Sequence, residues 1–381
     1  MSRLTALSGA AVLTAGLSLP GLALAAADVT VPCPDAMVDS SAAIITALQS
    51  IGPGGIVRLE PCTYYLSGPI VITGTFHGAL VGAGMGRTIL TTLPDADGIE
   101  DVLMVNWITD LDNPGTFGPT LAPTLFHFSL FGEAPSQVAI SNLSITITDP
   151  QPAFASARAA WFDGALLAMV TVEGRRVSTD FDQVEMKAAR KPDGFPGTNV
   201  FYGIELWGEL SYWSAGLPGT LNPMVGRHVL RRSVFEGLWN GYNFAEMADS
   251  WVMVRQSRFA NLALDALDAI EGVDMVRSTL HVTQNDIELS GAASGIWLRG
   301  IDGALVNQNR VRGQAQIGID VVSGTGYQIL NNDLESLEVP PGSYKIVLEP
   351  GTSDSLVVGT NPAQVLDQGT NNEILGGEGK H

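Results

Sequence analysis

The feature that most constrains the fold is a short strand-and-turn unit that repeats between residues 203 and 351. Five six-residue segments with mostly alternating apolar residues align with one another, at 203–208, 241–246, 266–271, 295–300 and 318–323. A later apolar run in each repeat opens with a small polar residue, and these openers lie 24, 28, 24 and 23 residues apart at Ser233, Ser257, Asn285, Asn309 and Asn332. A strand-rich period of about 20–30 residues indicates a stacked, all-β solenoid.

Composition agrees with a β fold and limits the partners. The chain has 381 residues with 43 glycines and 15% charged residues, enough for one large core or two modest ones. High glycine with few Lys and Glu favours strands over helices. The formal charge of −19 repels phosphate backbones, so we expect no nucleic-acid partner. The same charge disfavours polyanionic sugars unless a cation mediates, or it only keeps the protein soluble outside the cell.

Residues 1–27 have the pattern of a secretory signal peptide. A basic lead at residues 1–3 precedes an apolar segment at 4–24, and small residues at 23–27 offer cleavage sites before Asp28. Pro20 and Gly21 interrupt the apolar segment, which argues against a retained membrane helix, and no later segment is apolar enough to span a bilayer. We therefore expect a secreted or periplasmic protein without membrane insertion.

The two cysteines, Cys33 and Cys62, both lie early in the mature chain. In an exported protein an isolated pair most often forms a disulfide. The alternatives, a reactive thiol or a metal pair, have no His cluster to support them. We therefore expect a disulfide and no metal at this pair.

A helix is predicted over residues 39–51, before the first strands. Ala43, Ile44, Ala47, Leu48 and Ile51 recur at helical spacing, and Asp39, Ser40 or Ser41 can cap the start. The run 53–55, Pro-Gly-Gly, ends it. A solenoid exposes its first coil as an apolar end, so residues 28–55 are predicted to form a cap.

Several motifs in this region carry a resemblance to a known family. They are Asp39-Ser-Ser-Ala-Ala-Ile, Gly54-Gly-Ile-Val-Arg-Leu, Thr63-Tyr and Leu80-Val-Gly-Ala-Gly-Met-Gly-Arg-Thr-Ile-Leu. With them the chain resembles the pectin-lyase-like superfamily, which includes polygalacturonases, pectate lyases and phage tailspikes. The resemblance implies a single-stranded right-handed parallel β-helix with an N-terminal capping helix. One departure is Cys62, which stands where the pattern usually has Gly before Thr-Tyr and fits a disulfide to Cys33.

The repeat is interrupted in three places, which we interpret as loop insertions in a single domain. The β-helix is predicted over 56–360, with insertions near 91–137, 149–199 and 209–226 and a C-terminal tail at 361–381. Insertions in a solenoid lie outside the stack and often build the binding face.

The alignment predicts which side chains share the outer face of the coils. One outward column should hold Glu205, Asn243, Asp268, Trp297 and Asp320, and two positions further along each strand come Trp207 and Arg299. Aromatic rings beside carboxylates suit sugar binding, because a pyranose presents C–H groups to the ring face. We therefore predict a polysaccharide-binding face with Trp207, Tyr242 and Trp297 as its platform and Asn243, Arg299 and Asp320 as polar contacts.

The acids of this face are the candidate catalytic groups. Glycoside hydrolysis needs two carboxyl groups, and Glu205 and Asp268 should lie about 9.6 Å apart across two coils. Glu246 and Glu271 hold the same offset in adjacent coils, so we expect them nearly to touch. Such a pair raises one pKa or recruits a cation such as Ca²⁺. The alternative for each acid is a solvated side chain on a sheet surface.

Other polar residues have simpler interpretations. Asn285, Asn309 and Asn332 recur from coil to coil, so we interpret them as a turn ladder. Arginines between 227 and 277, together with His228, offer one alternative chemistry, β-elimination on a uronic acid. The family's Asn-Thr-Asp, Asp-Asp and Gly-His-Gly motifs are absent from this sequence. The resemblance therefore brings no catalytic residue across.

Two functions follow as expectations. The first is a secreted polysaccharide-binding protein that, if Asp268 acts with Glu205, Glu246 or Glu271, also cleaves its ligand as a glycoside hydrolase or lyase. The second is a non-catalytic surface or envelope β-helix used for binding.

Overall fold

The structure is a computed structural model that describes residues 27–93, 104–108, 117–121, 124–147, 166–189, 200–208, 223–260, 262 and 268–376. Of the predicted signal peptide only Ala27 lies within these residues. The described chain contains one α-helix, and no helix among the described residues is long and apolar enough to cross a bilayer.

In the described part of the chain, 27 strands form one continuous sheet that winds through three ladders. The first ladder runs through β4 (Ile70–Thr73), β9 (Thr124–Leu130), β11 (Leu166–Gly174), β13 (Val200–Trp207), β16 (Asn240–Ala248), β19 (Asp268–Val276), β21 (Asp286–Asp302), β23 (Arg310–Thr325), β26 (Ile346–Ser353) and β28 (Val365–Asp367).

The second ladder runs through β1 (Asp28–Val31), β2 (Gly55–Leu59), β5 (His77–Val81), β10 (Ser136–Ile147), β12 (Val177–Ala188), β14 (Arg227–Arg231), β17 (Trp251–Arg255), β20 (Thr279–Thr283), β22 (Ala304–Asn307), β24 (Gln328–Leu330), β27 (Leu356–Val358) and β29 (Glu373–Leu375). The third adds β3 (Thr63–Leu66), β6 (Ile89–Thr92), β15 (Val234–Glu236), β18 (Arg258–Ala260) and β25 (Leu337–Glu338) to parts of β10, β12, β21 and β23.

Within this sheet the strands of successive coils pair in parallel, so the predicted solenoid is a parallel β-helix. Inward side chains from all three ladders fill the tube with aliphatic and aromatic groups. Phe235 and Phe259, one coil apart, stack with ring centroids 4.9 Å apart. Such stacking between coils buries apolar surface continuously along the axis, which no single coil could do alone.

Helix α1 (Ser41–Ser50) covers the first coil, as predicted. Its buried side chains include Ile44 and Leu48, and it packs on β1, β2 and β4. Asp39 Oδ1 accepts the backbone N–H of Ser41 at 2.9 Å and that of Ser67 at 3.0 Å. One carboxylate therefore joins the start of the helix to the coil below it.

The predicted disulfide is present. Cys33 and Cys62 are bonded, with their Cα atoms 5.9 Å apart. The bond closes a loop that contains α1 and β2, so it ties the cap to the first coil.

The predicted asparagine ladder is confirmed at the corner between the second and third ladders. The Oδ1 atom of Asn309 accepts from the backbone N–H and the Nδ2 of Asn285, at 3.1 and 2.9 Å. In the next coil, Oδ1 of Asn332 accepts from the backbone N–H and the Nδ2 of Asn309, at 3.0 Å in both bonds. All three side chains are buried. They therefore serve the coil rather than a ligand.

Strands of the β-helix also lie in segments that were predicted as loop insertions or as the C-terminal tail. β9, β11 and β12 join the stack within the segments that we predicted as insertions. β7 (Met104–Ile108) and β8 (Phe117–Leu121) form a separate antiparallel pair. A 3₁₀ turn at Pro362–Gln364 leads into β28 and β29, so the stack continues past residue 360 to Leu375.

Candidate functional site

The outward column of the first ladder brings together four of the five side chains that were predicted to share it. Glu205, Asn243, Trp297 and Asp320 occupy equivalent positions in β13, β16, β21 and β23. Their preceding neighbours, such as Ile204 and Ile296, are fully buried in the tube.

The fifth member of this column is Glu271, and the predicted alignment of that coil was wrong by three residues. Ile270 pairs with Tyr242 on one side and Ile296 on the other, so Glu271 lies between Asn243 and Trp297. Asp268, which was predicted to be in this column, is the first residue of β19 and pairs with Ser294 of β21.

Asp268 nevertheless faces the same site, because the coil turns a corner between it and Glu271. The corner position is Gly203 in β13 and Gly241 in β16, and it points into the tube: a Cβ on Gly241 would lie 2.5 Å from Cδ1 of Phe259. The residue before the corner therefore faces outward, like the residue two places after it. Asn240 demonstrates this, since its Nδ2 donates to Glu271 Oε2 at 2.7 Å.

Two further predicted site residues do not belong to the site. Glu246 lies opposite Asp274, not Glu271, because both occupy a left-handed turn with φ of 55° and 49°. The expected contact between Glu246 and Glu271 is therefore wrong. Tyr242 points into the tube, where it is fully buried with its ring centroid 5.5 Å from that of Phe244. It cannot serve as a sugar platform.

Glu271 is the most accessible acid in the centre of the column. Burial raises its pKa to about 7, against the opposing effects of the hydrogen bond from Asn240 and the charge of Arg299. Asn243 Nδ2 also donates to Glu271 Oε2, at 3.2 Å. Two amides therefore hold one oxygen of a carboxyl group that changes charge near neutral pH.

Glu205 and Asp268 flank Glu271 and are more deeply buried, at 1% and 5% exposure. Burial raises the pKa of both carboxyls well above the ordinary value, and the charge of Glu271 raises it further. Thr171 Oγ1 donates to Glu205 Oε2 at 3.4 Å, whereas Oε1 of Glu205 has no partner among the described residues. Burial also raises the pKa of Asp320, to about 6.

Aromatic side chains border these carboxyls. Trp207 and Trp239 are largely buried, and Trp297 is half-buried. The guanidinium of Arg299 lies 5.7 Å from the ring centroid of Trp297 and forms an ion pair with Asp274 at 3.3 Å. Tyr202 meets the Trp239 ring edge-on, with centroids 6.5 Å apart.

Comparison with known proteins finds remote structural similarities. Neither a protein-family model nor a curated protein sequence matches the chain. Among solved structures, ORF18 of Geobacillus virus E2 matches over 91% of this chain, which spans 60% of the viral protein, at 12% identity and a TM-score of 0.44. The Azotobacter vinelandii mannuronan C-5 epimerase AlgE4 A-module matches over 90% of this chain and 95% of its own length, at 14% identity and a TM-score of 0.32. DFA-IIIase from Arthrobacter chlorophenolicus A6, solved without its lid in complex with GF2, matches over 89% of this chain and 98% of its own length. The identity is 12% and the TM-score is 0.42.

By its strand pairing the chain is a parallel β-helix protein. Its coils carry the acids and aromatic residues described above on one outward face, that of the first ladder.

The sequence analysis did not predict several residues that lie on the first ladder near Glu205 and Glu271. His127 Nε2 lies 2.9 Å from Glu173 Oε1, and both side chains are buried in the coils before Glu205. Thr171 links this region to Glu205. Tyr202 and Asn240 also face the site, and their signal is the glycine that follows each of them. A glycine at a corner marks its predecessor as outward-facing.

No three His, Cys, Asp or Glu side chains come together as a metal site in the described part of the β-helix. Glu271 is instead held by the amides of Asn240 and Asn243, and Glu205 by the hydroxyl of Thr171.

Proposed function

We propose that this β-helix protein is an exported enzyme that binds a polysaccharide along the outward face of the first ladder and cleaves its glycosidic bonds by acid–base catalysis. The proposal rests mainly on Glu205 and Glu271, which lie two strands apart in one column and both have raised pKa values. Hydrolysis of a glycosidic bond requires two such carboxyls, one with and one without its proton.

Glu271 is suited to be the general base. A pKa of about 7 leaves it partly ionised at neutral pH, near the optimum for proton transfer. The amides of Asn240 and Asn243 orient it. In the proposed step Glu271 takes a proton from water, and the water oxygen attacks the anomeric carbon.

Glu205 is suited to be the general acid. Burial keeps its proton on to higher pH than for an exposed glutamate. It gives this proton to the leaving oxygen as the bond to the anomeric carbon breaks. The Cα atoms of positions two strands apart are about 9.6 Å from each other, which suits carboxyls that admit a water between them.

The charge of the face favours an uncharged glycan. Glu205, Asp268, Glu271 and Asp320 line its described part, together with one arginine, Arg299, which is already paired with Asp274. A polyuronate chain would bring further negative charge beside buried carboxyls and raise their pKa values again. An uncharged sugar can hydrogen-bond to protonated carboxyls and stack on Trp297.

A panel of uncharged and acidic glycans tests the proposal. We expect the wild type to release reducing ends from at least one uncharged glycan, without unsaturated products. Glu271→Gln should lower the rate by about 10²–10⁴-fold, the usual contribution of a general base. Glu246→Gln is the matched control, since Glu246 lies in the left-handed turn, and it should retain the rate. Binding without cleavage by the wild type would overturn catalysis and favour the non-catalytic binding protein.

A further inference from the structure

The second ladder carries a group of cations that the proposed function does not use. β14 and β17 are neighbours in this ladder, and Arg231 of β14 is the register partner of Arg255 of β17. Two arginines in this arrangement lie only one strand spacing apart, about 4.8 Å between Cα atoms. Like charges directly opposite one another on a sheet are unfavourable unless something lies between them.

The two arginines differ in their partners among the described residues. Arg231 forms ion pairs with Asp180 and Asp182, both at 3.3 Å. Arg255 forms no ion pair or side-chain hydrogen bond with any residue in the described part of the chain, although it is half-buried. Nε of Arg255 is shielded from solvent and has no hydrogen-bond acceptor there, whereas Nε of Arg231 lies 3.3 Å from Oδ2 of Asp182. The half-buried guanidinium of Arg255 therefore carries a charge that no described carboxylate balances, which suits it to an external anion.

Strand β17 also presents apolar side chains beside Arg255. Trp251, Met253 and Arg255 alternate along β17 and are all half-buried on the outward side. Alternate side chains along a strand lie about 6.6 Å apart on one face, so these three form one outward row. The Arg227 guanidinium lies 4.7 Å from the centroid of the Trp251 ring, and His281 meets that ring edge-on at 6.1 Å.

We propose that Arg231 and Arg255 form a binding site for the anionic group of an acidic glycan, with Met253 and Trp251 in contact with its sugar rings. Planar guanidinium groups bind carboxylate and sulfate oxygens through paired N–H donors. The site is on the second ladder, whereas the proposed catalytic face is on the first. The two ladders would thus select opposite kinds of sugar, an acidic one here and an uncharged one at the carboxyls.

Calorimetric titration of the full mature chain tests this site. The probes are an oligogalacturonate for the carboxylate, a dextran sulfate oligosaccharide for the sulfate, and plain dextran for an uncharged chain. We expect one or both anionic probes to bind, and the binding to weaken between low salt and about 0.15 M salt because the contact is ionic. Which of the two binds identifies the anionic group.

The decisive variant is Arg255→Gln, because the Arg255 side chain has no partner to lose among the residues that the structure describes. It should weaken binding of the anionic probe about tenfold, the effect of losing a charge-assisted hydrogen bond, with an unchanged melting temperature. Arg258→Gln is the matched control, since Arg258 is exposed on the third ladder and pairs with Glu288. Glu271→Gln should leave this binding unchanged. Failure of both anionic probes to bind at low salt would overturn the proposal, as would equal losses in the Arg255 and Arg258 variants.

Discussion

Glu271 lies two strands from Glu205 in one outward column of the β-helix, and its charge contributes to the raised pKa of Glu205. Between them stands Asn243, whose amide binds Glu271. This relationship gives the two carboxyls different tendencies to ionise, and it is the basis of the predictions that concern catalysis.

Stability should fall as the pH rises from about 5 to about 8. Glu271 and Asp320 have folded pKa values of about 7 and about 6. The folded protein therefore holds protons that the unfolded chain has released, so this contribution is full below the unfolded pKa and is lost as pH rises through the folded pKa. The slope is at most about 1.4 kcal/mol per pH unit for each carboxyl.

Urea unfolding at a series of pH values measures this slope. Glu271→Gln should flatten the part of the curve near pH 7, because the variant has no proton to release there. A wild-type stability that rises over the same range would contradict the assigned pKa values.

Removing a rung of the asparagine ladder should be costly. Asn309→Ala deletes the acceptor of the Asn285 backbone N–H and the donor to Val282 O. Leaving these buried groups unsatisfied should cost about 2–4 kcal/mol in the free energy of unfolding. Gln308→Ala removes an exposed neighbour and should cost below about 0.5 kcal/mol. Equal losses in the two variants would show that the ladder adds no specific stability.

The disulfide should stabilise the capped end without affecting the proposed catalytic face. Cys33 and Cys62 are 29 residues apart, so replacing both by Ser should lower the free energy of unfolding by about 3–4 kcal/mol on the chain-entropy estimate. Cleavage of glycan by the folded variant should be unchanged, because Glu271 lies many coils away. Loss of cleavage in a fully folded variant would show that the cap and the site are coupled.

The first hydrolysis product should have the inverted anomeric configuration. The positions of Glu205 and Glu271 are about 9.6 Å apart at Cα, in line with the wide carboxyl separation of inverting enzymes. Proton NMR of freshly released sugar distinguishes the two anomers before they equilibrate. A retained product would contradict the assignment of this pair.

The fold could be predicted from the sequence because each coil of the solenoid repeats the same strand-and-turn pattern. Apolar alternation and recurrent Asn residues report the coil directly, since each coil must bury the same face and turn the same corner. Through the family resemblance, the motifs around Gly54 and Leu80 also implied the N-terminal capping helix.

The site was predicted less well because register depends on contacts between coils. Segment 266–271 contains Ala-Leu-Asp and then Ala-Ile-Glu, and both fit the repeat. Only pairing of Ile270 with Tyr242 and Ile296 selects the second. Glu246 was misplaced because a left-handed turn at a residue other than glycine leaves no signal in an apolar pattern. Tyr242 was misplaced because an aromatic ring can equally fill a core or bind a sugar.

The pH dependence of kcat/KM for glycan cleavage tests the central claim most directly. If Glu271 is the base, the rate of the wild type should rise through a pKa near 7 and fall again at higher pH as the acid loses its proton. The residual activity of Glu271→Gln should lack the rise near pH 7. A wild-type profile that is flat from about pH 6 to about pH 8, or the same rise in Glu271→Gln, would contradict the account.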